Sequence, residues 1–230
     1  MVKNHLFYFQ SMAQILLPLT KAILFDMDGT LVDNMHFHHI AWMRFIEEKK
    51  LNIDAETFER DYHKGTLIEV MARFFPHLKT EAALRKVGNE KEALFREIYR
   101  PNIKPINGLL QFLDRLKEKN IPIGLATMGD QNNINMTLTE LGILDYFHFT
   151  TGGHEIEKGK PQPDIFLKAA HKIGIAPKDC LAFEDTQSGI NSARAAGMKV
   201  VGVATQFSKT QLLALGCCHA ISDYRELEFI

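Results

Sequence analysis

The run Ala22-Ile23-Leu24-Phe25-Asp26-Met27-Asp28-Gly29-Thr30-Leu31 constrains this chain more than any other stretch. A short, continuously apolar segment is the pattern of a strand covered on both faces, which implies a parallel sheet wrapped by helices. Such a strand delivers Asp26 and Asp28 to its C-terminal edge, where open parallel sheets bind ligands. Gly29 then permits a sharp backbone exit. Two carboxylates so close repel each other unless a cation lies between them or one holds a proton. The pair implies a magnesium site, an acid/base pair, or both. An ordinary turn after a strand, where Asp is common, yields the same residues without any chemistry.

Further strand patterns recur at intervals too long for hairpins: Pro122–Thr127, Cys180–Glu184, Lys199–Ala204 and a weaker His219–Ser222. Helical patterns separate them at Gly108–Lys119, Gln131–Leu141, Asp164–Ile173, Ser188–Ala196 and Lys209–Leu215. This alternation predicts an α/β fold with a doubly wound parallel sheet. Gly142, Gly174 and Gly197 stand where helices should stop. Between Asp33 and Lys104 the rhythm changes to helices alone, at His36–Lys50, Thr57–His63, Thr66–Phe75 and Thr80–Arg100. The expected organisation is a flexible extension at 1–20, an α/β catalytic core at 21–35 and 104–230, and a small helical cap at 36–103 inserted after the first strand. A cap in that place can close over the strand's edge and exclude water.

Composition limits the partners. A net charge of -1 over 230 residues offers no basic field for nucleic acid or an anionic membrane, so any phosphate binding must be local. The apolar residues near the N-terminus, Leu6–Phe9 and Ile15–Leu17, are interrupted by Gln10, Ser11 and Gln14 and are too short to span a bilayer. Translation starting at Met12 is an alternative beginning. Three cysteines, Cys180, Cys217 and Cys218, have no framework spacing and read as reduced, in a cytoplasmic protein expected to be a monomer.

Four separate segments carry polar residues at or near strand ends: Asp26 with Asp28; Thr127; Lys160 within Lys158–Asp164; and Glu184 with Asp185. Taken singly, Thr127 suits a helix cap, Lys160 a surface lysine and Asp185 a turn. In this order the chain resembles the haloacid dehalogenase superfamily of phosphotransferases, with the four segments matching its four motifs from Lys21 onward. The helical insertion, together with Asp33, His38, Trp42, Lys64-Gly65 and Lys160–Phe166, resembles the β-phosphoglucomutase-like subgroup and its related sugar-phosphate phosphatases.

That resemblance implies catalytic roles for Asp26, Asp28, Thr127 and Lys160. Asp26 is the expected nucleophile and Asp28 the acid and base, returning to the same side of an extended chain two residues on. Lys160 and the Thr127 hydroxyl would stabilise charge on the transferring phosphoryl group. Mg²⁺ would be held by Asp26, the Asp28 backbone carbonyl and Asp185, with Glu184 in or beside the shell. Lys64, Gly65, His38 and Trp42 are the expected substrate-binding residues, although Trp42 also suits the cap core and His38 a plain helix surface. Three residues after Gly65, where the mutases carry an arginine for a distal phosphate, this chain has Ile68, which cannot replace it. Asp130 would repel a second phosphate if it faced the pocket. The expected function is therefore magnesium-dependent hydrolysis of a small phosphate monoester, a sugar phosphate, through an aspartyl phosphate. A β-phosphoglucomutase-like transferase and a noncatalytic phosphometabolite-binding protein are the alternatives.

Overall fold

A computed structural model of the chain describes residues 20–62 and 65–227. Its strands are β1 (Ala22–Phe25), β2 (Ile123–Ala126), β3 (Phe149–Thr151), β4 (Cys180–Glu184), β5 (Lys199–Val203) and β6 (His219–Ile221). All pair in parallel, in the order β3-β2-β1-β4-β5-β6. The chain runs outward from β1 through β2 to β3, then returns to lay β4 against the other side of β1. The crevice at such a reversal, between β1 and β4, is where doubly wound sheets bind ligands.

The helices are α1 (Met35–Lys49), α2 (Ala55–Asp61), α3 (Leu67–Phe74), α4 (Glu81–Tyr99), α5 (Leu109–Glu118), α6 (Gln131–Glu140), α7 (Asp164–Ile173), α8 (Gln187–Ala195) and α9 (Lys209–Ala214). Strand alternation sorts them onto two faces. Ile23 and Phe25 point toward a core filled by Leu109, Phe112 and Leu113 of α5 and Ile134 and Leu138 of α6. Ala22 and Leu24 point the other way, onto Ile165 and Phe166 of α7, Ile190 of α8 and Leu212 of α9. Both faces of β1 are buried, as its unbroken apolar sequence requires.

Helices α1 to α4 share a separate apolar cluster around Trp42, Phe45, Phe58, Met71 and Phe74. Side-chain oxygens start three of them: Asp54 accepts from the Thr57 N–H, Thr66 from Glu69 and Thr80 from Ala83. The long α4 ties this layer to the sheet domain, since its Phe95 and Tyr99 pack with Val32 and with Met136 of α6.

Several sequence expectations need correction. Strand β3 was not among the expected strands: its residues, Phe-Thr-Thr, are strand formers, but the run is only three residues long and lies at the sheet's edge, two of them only half-buried. Strands β1, β2, β5 and β6 stop short of Asp26, Thr127, Ala204 and Ser222, so those residues begin the edge loops instead. Helix α2 spans Ala55–Asp61 rather than Thr57–His63. Residues 1–19, all but the last of the extension expected at 1–20, together with His63 and Lys64 lie outside the described residues.

Candidate active site

The turn after β1 is closed by the Met27 carbonyl, which accepts from the N–H groups of Thr30 and Leu31 at 3.2 and 2.8 Å. Gly29 sits at φ 82°, a left-handed conformation, and a Cβ there would lie 2.0 Å from Asp185 Oδ2. Only glycine meets both demands. The turn therefore rests directly on the end of β4 and brings the two acidic segments together across the crevice.

Lys160 supplies the buried cation. Its ammonium donates to Asp26 Oδ1 at 2.6 Å and Glu184 Oε1 at 2.6 Å, with its side chain only 6% exposed. The other Glu184 oxygen accepts from the Asp185 N–H, the Thr186 N–H and the Thr186 hydroxyl at 3.0, 3.1 and 3.1 Å. Glu184 is thus engaged through both oxygens in orienting Lys160 and the start of α8. Thr127, buried at the end of β2, accepts from the Gly129 N–H at 3.1 Å, which leaves its own hydroxyl hydrogen to donate.

Burial pushes the Asp26 carboxyl up to about 8; Lys160 opposes the rise, and the charges of Glu184 and Asp28 add to it. Asp185 is also raised, by burial and then by Glu184 and Asp26. Lys160 is held above the usual lysine range, because the Asp26 and Glu184 charges outweigh its desolvation. Asp28 goes the other way. Burial would raise it, but the His38 hydrogen bond and charge, the Asn34 hydrogen bond and the Lys91 charge together lower it.

Asp26, Glu184 and Asp185 can each bring one carboxylate oxygen within 4.8 Å of the others, all three residues being buried. One ammonium does not neutralise three buried carboxylates. An all-oxygen donor set with surplus negative charge suits a hard divalent cation such as Mg²⁺. Asp26 and Asp185 retain free lone pairs for it, whereas the engaged Glu184 stands beside them. The Asp28 carboxylate lies outside this group; its Oδ1 accepts from Asn34 Nδ2 at 2.6 Å.

The chain as a whole is similar to known proteins. The haloacid dehalogenase-like hydrolase family matches residues 23–203. The chain belongs to this family. It is 31% identical to β-phosphoglucomutase of Bacillus subtilis, over 80% of this chain and 83% of that protein. It is 28% identical to the phosphorylated carbohydrates phosphatase of Thermotoga maritima, over 80% of this chain and 85% of the relative. Among solved structures, a haloacid dehalogenase-type hydrolase from Entamoeba histolytica superposes with a TM-score of 0.80 at 29% identity, covering 91% of this chain and 96% of that one.

In this haloacid dehalogenase-like chain the four cap residues expected to bind substrate fare differently. His38, on α1, reaches the core: its Nε2 lies 3.7 Å from Asp28 Oδ1, its ring stacks on Phe95 at 3.6 Å, and its Nδ1 meets Lys91 Nζ at 3.3 Å. Gly65 lines the cavity, and the Lys160 loop presses on it, since a Cβ on Gly159 would lie 2.4 Å from the Gly65 carbonyl carbon. Trp42 is 3% exposed and packs edge-on against Phe45, Phe58 and Phe74, so it is mainly cap core with one edge on the cavity. Lys64 lies outside the described residues. Asp33, one of the residues that carried the subgroup resemblance, is exposed, while its neighbour Asn34 holds Asp28.

A buried polar network escaped the sequence reading. On α4, Lys91 donates to Glu92 Oε1 at 2.8 Å and lies 5.0 Å above the Trp42 ring. Glu92 Oε2 accepts from Asn133 Nδ2 of α6 at 2.7 Å. Arg96 donates to Asn133 Oδ1 at 2.9 Å and to Asp130 Oδ2 at 3.2 Å. Asp130 also caps α6, so its charge is partly balanced rather than bare toward a ligand. A chain of contacts thus runs from Asp28 through the cap and back to the core. The available signal was Lys91-Glu92 and Arg96 on a helix whose other faces bury Leu84, Leu94 and Phe95.

Proposed function

We propose that this chain is a magnesium-dependent phosphatase that hydrolyses a small phosphate monoester, a sugar phosphate, through a phosphorylated Asp26. The observation that carries the reading is the shared floor of one cavity of about 540 Å³: Asp26, Asp28, Thr127 and Lys160 all open onto it, under cap residues His38, Gly65 and Ile68. A volume of that size suits a small metabolite.

An Asp26 oxygen attacks phosphorus in line, forming the acyl phosphate as the ester P–O bond breaks. Asp28 passes a proton to the departing alkoxide. It then takes a proton from the water that attacks phosphorus, releasing inorganic phosphate and regenerating Asp26. The lowered Asp28 carboxyl is ready for the second, basic role; the negative charge of an arriving phosphate raises it toward the first. Lys160 and the Thr127 hydroxyl stabilise the phosphoryl oxygens. Mg²⁺ would be held by Asp26, Asp185 and the Asp28 carbonyl, and would supply further charge neutralisation there.

Hydrolysis is favoured over isomerisation by the wall opposite the reacting centre. Ile68 lines the cavity where a mutase needs a distal phosphate anchor. Among the described residues of that wall, Arg85 pairs with Glu81 and Lys91 with Glu92. Relatives named for both activities, the phosphatase of T. maritima and the mutase of B. subtilis, keep the transferase as the second reading. The test is phosphate release with Mg²⁺ across sugar phosphates and nucleotides, alongside isomerisation of β-glucose 1-phosphate. Release from one or a few esters supports the phosphatase. Isomerisation without release, dependent on added bisphosphate, overturns it.

A further inference from the structure

We infer that Thr205, in the loop after β5, is a positioning residue for the divalent-cation site, acting through the Gly29 turn and the Asp185 carboxylate. The inference rests on the reading of Asp26 and Asp185 as cation ligands.

Thr205 reaches the same sheet edge as the acidic segments, two residues beyond Val203, whose carbonyl accepts from the Thr205 N–H at 2.9 Å. Its hydroxyl donates to the Gly29 carbonyl at 2.6 Å and lies 3.4 Å from Asp185 Oδ2. A hydroxyl carries a single hydrogen. The short contact claims it, and the longer one leaves Asp185 Oδ2 with lone pairs to spend on a ligand. The second Asp185 oxygen, Oδ1, accepts from the Thr30 hydroxyl at 3.3 Å. Each oxygen of this carboxylate therefore faces a threonine, one from the turn after β1 and one from the loop after β5.

The coupling passes through contact. A Cβ at Gly29 would overlap Asp185 Oδ2 at 2.0 Å, so the turn and the carboxylate are already touching. A turn that drifts by a few tenths of an ångström displaces Asp185 with it. Two hydroxyls pin that turn from the C-terminal half of the chain. Tyr224 donates to the Thr30 carbonyl at 3.0 Å from within the aromatic core, and Thr205 holds the Gly29 carbonyl from the loop edge. Tyr224 is deeply buried, so its loss would disturb the fold. Thr205 is half-buried, so its hydroxyl can be removed with the fold kept. Outer-shell groups that orient metal ligands typically contribute ~10–100-fold to metal affinity, and Thr205, acting at one remove through the Gly29 turn, belongs at the low end of that range.

The experiment is calorimetric titration of Mg²⁺ into substrate-free protein, for the wild type, Thr205→Val and Thr205→Ser, with thermal melts in chelator. Thr205→Val keeps the side-chain shape and removes the hydroxyl; its Mg²⁺ affinity is expected to fall about tenfold. Thr205→Ser restores the hydroxyl and is expected to bind within about twofold of wild type. Melting temperatures in chelator should stay close for all three. Unchanged affinity in Thr205→Val overturns the inference, as does equal loss in Thr205→Ser, which would place the effect on bulk rather than the hydrogen bond. A wild type that binds no Mg²⁺ would instead overturn the reading of the site itself.

Discussion

Replacing Lys160 with Met tests the site through stability and catalysis together. The ammonium lies 2.6 Å from Asp26 and 2.6 Å from Glu184, and the side chain is 6% exposed. Met keeps the length and can rest on Phe166, over which the Lys160 ammonium now sits at 5.2 Å. The substitution therefore isolates the charge. Removing one partner of a buried ion pair costs about 3–5 kcal/mol, because the Glu184 charge stays desolvated and loses its counter-charge, Asp26 being able to keep its proton. In a chain of 230 residues each kcal/mol moves Tm by roughly 2–4 °C, so the metal-free variant should melt roughly 6–20 °C lower. Mg²⁺ should recover more of the loss in the variant than it adds to the wild type, since the site then holds a greater surplus of negative charge. Saturation at a hundred times Kd is worth about 2.7 kcal/mol. Turnover should fall by about 10²–10³-fold, the cost of one preorganised charge-stabilising donor. Differential scanning calorimetry with and without Mg²⁺, paired with phosphate-release assays at saturating Mg²⁺, reads both quantities. A Tm within about 2 °C of wild type in chelator, or activity within about tenfold, would refute the assignment of Lys160 as the buried counter-charge of the nucleophile.

Three other outcomes are expected. Asp26→Asn should retain its circular dichroism spectrum and lose phosphate release to background; a turning-over variant removes the nucleophile assignment. Metal-free protein should lose stability as pH rises from about 5 to 8. The folded Asp26, raised from 3.8 to about 8, keeps a proton that the unfolded chain has released, so this contribution is present at low pH and lost as pH climbs through the folded value. Melts in chelator that stay flat or rise across that window would contradict the burial argument, and Mg²⁺ should stabilise more at pH 8 than at pH 6 because it binds the deprotonated carboxylates. Asn133→Ala should cost about 1–3 kcal/mol in urea denaturation, because it strips a partner from the buried Glu92 and from Arg96. A loss no larger than at an exposed surface site would show that this contact between α4 and α6 carries no weight.

The central strands and the acidic segments were legible because their signals are local. Four buried apolar residues followed by Asp-Met-Asp-Gly declare a covered strand and its edge whatever surrounds them, and the same holds for Cys180–Glu184 before Asp185. β3 was not legible: three strand-favouring residues are too short a run to show a period, and only pairing with its neighbour β2 makes them a strand. Lys91 and Glu92 went unmarked for the opposite reason. Charged neighbours on a long amphipathic helix read as solvent-facing, yet here they are 2% and 7% exposed. Their burial follows from α4 lying between the other cap helices and α6, which no periodicity within α4 can announce. The same packing turns Trp42 inward. The sequence by itself determined the covered central strands and that a sheet would carry Asp26, Asp28, Thr127, Glu184 and Asp185 to one edge, since side-chain alternation and apolar runs are properties of neighbours in the chain. Which charges meet across the crevice, and which cap residues lean on Asp28, was decided only by the tertiary structure. The crevice contacts join segments up to 134 residues apart, and the desolvation that makes all of these contacts matter exists only once the layers have closed.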